Sequence, residues 1–97
     1  MKSLKSVKEI IRKNKRLLVE NYKVKVLGIF GSYSRRNSHK GSDIDILVKF
    51  SETPDFFEFI RLEEFLQNLL GIRVDLATPS ALKPLIKKEI LKETIYI

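Results

Sequence analysis

An α/β (α+β) fold in the order αβ(α)βαβα, with one face of its sheet open to water, is predicted by three observations. Apolar residues at helical spacing open the chain, three short apolar runs read as strands, and helix-start signals follow the second and third of them. Ninety-seven residues provide for one two-layer core and no second, so a single domain over 1–97 is expected.

Val7, Ile10, Ile11, Leu17, Leu18 and Tyr22 recur at helical spacing with lysines and arginines between them, which predicts one amphipathic helix from Leu4 to Asn21. VKVLGIF, Val24 to Phe30, is rich in β-branched and large apolar residues and closes on Gly31, as a strand entering a tight turn does. A polar stretch from Ser32 to Ser42 follows, with room for a helical turn at its beginning. DIDILVKF is the second strand: Ile44, Ile46, Val48 and Phe50 fall on one face, Asp43 and Asp45 on the other. At Thr53 to Asp55 a threonine cap, a proline at the first helical position and an acid near the positive helix end predict a helix start. That helix carries Phe59, Leu62, Leu66 and Leu69 on one stripe, widened by Phe56, Ile60, Phe65 and Leu70, and stops at Gly71. IRVDLAT, Ile72 to Thr78, alternates as a third strand that turns Asp75 away from its apolar face. Thr78 to Ser80 repeats the cap-and-proline signal and begins a last helix built on Leu82, Leu85, Ile86 and Ile90.

No apolar run approaches the roughly 18 residues of a membrane span, and the basic first residues have neither the apolar stretch nor the cleavage site of a signal peptide. A cytoplasmic protein is expected, in keeping with the absence of cysteine. Nineteen Lys and Arg against twelve Asp and Glu leave +7, which suits a polyanionic partner: a nucleotide triphosphate, a nucleic acid or an acidic protein surface. Direct nucleic-acid binding is disfavoured, because no basic patch is interleaved with aromatics and an acidic cluster repels the backbone.

Residues i and i+2 of a strand lie on one side, roughly 6.6 Å apart. Asp43 and Asp45 therefore share a face and repel, unless a cation sits between them or one takes a proton. Oxygen-only ligands select a hard ion such as Mg²⁺ or Mn²⁺. Asp75 brings a third carboxylate if the second and third strands are neighbours, and three acids on one sheet face suggest metal-assisted phosphoryl chemistry with two ions. Gly31 removes a side chain where backbone approaches a phosphate, Ser32 offers a hydroxyl and an N–H, and Arg35 and Arg36 add charged donors. Alone, Gly31-Ser32 is ordinary turn chemistry and a D-x-D is solvated edge charge; their spacing, joined to Asp75, carries the metal reading. His39, a lone histidine in a polar loop, is left out of the site.

Gly31-Ser32, ten residues, then Asp43-x-Asp45 resembles the signature of minimal nucleotidyltransferases in the DNA polymerase beta-like superfamily, the MNT-type antitoxins among them. The preceding apolar strand, the later RVDL and the TPSAL helix start occur in matching order, so the resemblance covers most of the chain. It implies a polymerase-beta-like nucleotidyltransferase fold: a small mixed three-stranded sheet with helices packed on one face. It also implies Mg²⁺ and ATP, and transfer of AMP to a tyrosine of a partner HEPN-type ribonuclease toxin in a hetero-oligomeric toxin-antitoxin pair. Asp43 and Asp45 then match the catalytic metal-binding pair, Asp75 the third carboxylate beside the acceptor hydroxyl, and Gly31 with Ser32 the triphosphate-holding turn. The chain departs from the pattern at Arg36, where relatives have glycine after the arginine matched by Arg35, so the loop is either shaped differently or binds phosphate more strongly. Three other readings compete: a non-catalytic antitoxin that caps its partner, a nucleic-acid binder, and transfer to a small molecule. The last lacks a second domain to enclose its acceptor. Phe57 with Ile95 and Ile97 is expected to form a partner-facing patch.

Overall fold

The computed structural model describes residues 3–31, 33–34 and 43–97. The basic amphipathic opening forms two helices, α1 (Leu4–Lys13) and α2 (Lys15–Tyr22), where one was expected. Asn14 divides them: its side-chain amide donates to Ile10 O at 2.9 Å, and its backbone sits at φ −107°, ψ 8°. An asparagine that bonds its own helix backbone offers the chain an alternative to continued helix. The left-handed Lys23 (φ 59°) ends α2 and leads into β1 (Val24–Phe30), which antiparallel pairing joins to β2 (Ile44–Phe50).

α3 (Phe56–Leu70) starts two residues later than the threonine-proline signal predicts. Asp55 is the cap, in a reciprocal box with Glu58: Glu58 N donates to Asp55 Oδ1 at 2.8 Å and Asp55 N donates to Glu58 Oε1 at 3.0 Å. A glutamate three residues on is what favours Asp55 over Thr53. Gly71 ends the helix at φ 69°. This 15-residue helix is the crossover that lets β3 (Val74–Ala77) lie parallel to β2. Gln67 Oε1 accepts from Val74 N at 3.1 Å and ties the two elements. A 3₁₀ turn (Pro79–Ala81) takes the second proline signal, and α4 (Pro84–Glu93) follows with Pro84 in its first turn.

The sheet is four-stranded, not three, in the order β3-β2-β1-β4. The added strand, β4 (Ile95–Tyr96), pairs antiparallel with β1 at Ile29 and Gly28, and is too short to show a period in the sequence. Register aligns the apolar face: Ile46 opposes Ile29 and Leu76, and Ile44 opposes Val74. Those side chains, with Leu27 and Val48, pack against Val7, Ile11, Leu18, Leu62, Leu66 and Leu70 in one core. The other face is wetter but not bare. Leu47 is buried there between Gly28 and Ala77, and a Cβ on Gly28 would strike Thr94 Cγ2, so the chain after α4 covers that part of the sheet. α4 itself buries none of its residues: Leu85 is 95% exposed and Ile86 is exposed, against the expectation that both set the helix on the core. No described helix is long and apolar enough to cross a membrane.

Candidate active site

β1 delivers Phe30 opposite Asp45, and the chain then bends at Gly31 with φ 73°. Glycine enters that left-handed region without a Cβ penalty. A second reason is steric: a Cβ on Gly31 would overlap Asp45 Oδ2 and stand 3.0 Å from Asp45 Cγ. The space that the sequence reserves for a close approach of phosphate is thus bounded by the Asp45 carboxylate. Among the described residues, three contacts fasten this turn. Ser34 Oγ donates to Gly31 O at 2.9 Å, Gly31 N donates to Glu93 Oε1 at 3.3 Å, and Tyr33, 2% exposed, is sunk in the core.

Asp43 is exposed just ahead of β2, Asp45 is half-buried within it, and Asp75 is exposed on β3 in direct register with Asp45. Neighbouring strands run about 4.8 Å apart, so Asp45 and Asp75 leave the sheet side by side, on the face away from Ile44, Ile46, Val74 and Leu76. Asp75 does not point into packed hydrocarbon. Of the expected triad only Asp45 and Asp75 are neighbours in register, and the three do not form a closed cluster: among the described residues no three Asp, Glu or His side chains are gathered tightly enough to hold one ion. Their chemistry fits a hard divalent cation, since all three offer carboxylate oxygen and like charges brought close favour a cation between them. Ser32, Arg35 and Arg36, expected to hold phosphate, lie outside the described residues, as does His39.

Sequence reasoning misses Tyr33 and Glu93. The aromatic ring in an otherwise polar loop was a signal for the first. For Glu93 the signal was faint: an acid in the last turn of a basic helix, where the dipole disfavours it. A cleft of about 640 Å³ lies at the far end of the sheet, lined by Lys25, Phe50, Pro54, Phe59 and Pro79 among others, and contains none of the three acids.

The family profile described as "Nucleotidyltransferase domain" matches residues 6–97. A Methanocaldococcus jannaschii protein, provisionally named a protein adenylyltransferase, is 52% identical over 98 residues and covers 100% of both chains. The protein adenylyltransferase MntA of Thermococcus cleftensis is 44% identical over 97 residues, 100% of this chain and 98% of that one. Among solved structures, one provisionally described as a minimal nucleotidyltransferase superposes with a TM-score of 0.83 at 29% identity, over 97% of this chain and 95% of the other. A toxin-antitoxin complex with AMP-PNP gives 0.68 at 25% identity, over 96% and 70%. A tri-AMPylated Shewanella oneidensis HEPN toxin in complex with MNT antitoxin gives 0.66 at 25%, over 93% and 70%.

Proposed function

This chain belongs to the nucleotidyltransferase domain family, and we propose that it is an antitoxin enzyme that moves AMP from ATP to a tyrosine hydroxyl of a HEPN-type toxin. Adenylyl transfer follows the similar proteins named for that activity. The nucleotide and the partner follow the neighbours that contain AMP-PNP and an AMPylated HEPN toxin. The observation that carries the reading in this chain is the Gly31 backbone seated on Asp45, with Asp75 in register beside it.

On this reading Asp43, Asp45 and Asp75 hold Mg²⁺, two ions in all, with Mn²⁺ able to replace it. Bound metal supplies charge neutralisation at the α-phosphate. Gly31 and Ser32 bring backbone up to the triphosphate, and Arg35 and Arg36 donate to its oxygens. The acceptor oxygen bonds to the α-phosphorus as the bond to the β-phosphate bridging oxygen breaks and pyrophosphate leaves. The hydroxyl proton passes to Asp75. Positioning does most of the work, as phosphoryl chemistry requires little covalent help from the protein.

A second reading, neutralisation by binding alone, is favoured by the exposed Leu85, Ile86 and Tyr96, which offer apolar surface to a partner. Intact-mass measurement of a HEPN-type partner, incubated with the chain, ATP and Mg²⁺, decides between them. AMP-sized increments with the wild type, and none with Asp45→Asn in a complex that still forms, support transfer. Neutralisation by Asp45→Asn with no added mass supports capping.

A further inference from the structure

The Gly31 N–H donates to a carboxylate 62 positions away, Glu93. Glu93 is the last residue of α4, where an anion is at odds with the helix dipole. A residue set against its local preference is a place to look for a task elsewhere. The chain around it is well fixed. Thr94 Oγ1 donates to Ile90 O at 2.6 Å, Ile95 and Tyr96 pair with Ile29 and Gly28, and Ile97 N donates to Leu27 O at 2.9 Å. Gly28 makes room for this docking, because a Cβ there would strike Thr94 Cγ2. Glu93 is therefore presented to the turn by a segment anchored on the residues of β1 just before Gly31. On its other side Gly31 rests against Asp45.

We propose that Glu93 is a positioning residue: its carboxylate holds the Gly31 amide and so sets the place of the glycine turn relative to Asp45, where the nucleotide phosphates must fit. This rests on the AMP-transfer reading above. It gives the last turn of α4 a part in a site whose other members come from β2, β3 and the stretch of chain between β1 and β2. A carboxylate makes the stronger bond to an N–H, but the side-chain carbonyl of glutamine accepts at the same position. Glu93→Gln thus preserves the contact that Glu93→Ala abolishes.

The chain has four glycines, so protein labelled with ¹⁵N-glycine gives a spectrum simple enough to follow Gly31 alone. Its amide signal should move in Glu93→Ala, much less in Glu93→Gln, while that of Gly71 stays in place. The dissociation constant for Mg²⁺ with a non-hydrolysable ATP analogue should rise about tenfold in Glu93→Ala and under about threefold in Glu93→Gln, the scale on which outer-shell partners act. Melting temperatures should stay close to that of the wild type. Unchanged nucleotide affinity in Glu93→Ala overturns the proposal, and so does Glu93→Gln being as impaired as Glu93→Ala. A wild type that binds no nucleotide, while its Gly31 signal still answers to Glu93→Ala, sinks the AMP-transfer reading and the positioning role with it, and leaves only a structural contact.

Discussion

Gly31 shows how one residue type meets two demands, a left-handed backbone and the lack of a side chain against a carboxylate. Gly31→Ala adds on the order of 1–2 kcal/mol of backbone strain and pushes Asp45 aside as well. Displacements of about 1 Å at a reacting centre cost about a hundredfold, so AMP transfer by this variant should fall at least that far, measured as initial rate beside a thermal melt. Retention of the wild-type rate would show that the Gly31–Asp45 contact is incidental. The Gly31-Ser32 to D-x-D spacing was legible from sequence; that Asp45 itself fills the space at Gly31 was not, because a close approach depends on register. A separate residue-scale expectation concerns pH. The Glu58 carboxyl is held below its ordinary 4.5 by its bond to the Asp55 N–H and then by Lys23. The folded state therefore binds this proton less readily than the unfolded one, and the stabilisation is full above pH 4.5 and lost as pH falls through the lower folded value. The stability gap between wild type and Glu58→Gln, from urea unfolding, should narrow on acidification in that window. Lys23, raised above 10.5 mainly by its hydrogen bond to Glu58, has the opposite limb, full below 10.5 and lost as pH rises.

At the scale of elements, the first two strands lie close to their expected bounds, while β3 (Val74–Ala77) is shorter than the expected Ile72–Thr78, β4 carries no signal of its own, and the helix ends differ as well. Val24–Phe30 matches its predicted bounds, since five of its seven residues are β-branched or large apolar and Gly31 closes the run. α3 starts after Asp55 and not after Thr53, because Thr53, Pro54 and Asp55 all carry start signals and the reciprocal bond with Glu58 selects the last. Asp55→Ala should cost about 1 kcal/mol, which in a chain of this size lowers the melting temperature by roughly 4–8 °C; Thr53→Ala should leave it nearly unchanged. The break at Asn14 turns on a single side-chain bond within a helical pattern that reads straight through. α4 has the apolar spacing of a core helix, yet leaves Leu85 and Ile86 in water, since periodicity reports that a face is apolar and not what will cover it. Gly28→Val should displace Thr94 from the sheet and speed amide exchange at Ile97, whose N–H bonds to Leu27 O, by at least tenfold, with an overpacking cost of about 1–3 kcal/mol.

For the molecule as a whole, the candidate site comes from long-range topology: the crossover through α3 lays β3 parallel to β2 and brings Asp75, thirty positions along the chain, into register with Asp45. Sequence alternation could turn Asp75 off the apolar face, but only the pairing makes it a neighbour. Asp45 and Asp75 are adjacent in register, and no tight cluster of three acids forms among the described residues, so on the proposed AMP transfer divalent ions draw the carboxylates together when nucleotide binds. Anomalous diffraction from crystals grown with Mn²⁺ and a non-hydrolysable ATP analogue tests this most directly. Manganese peaks ligated by Asp43, Asp45 and Asp75, with the phosphates against the Gly31 turn, are the predicted result. Metal bound away from these three acids, or a nucleotide seated elsewhere with Asp75 remote from any ion, would contradict it.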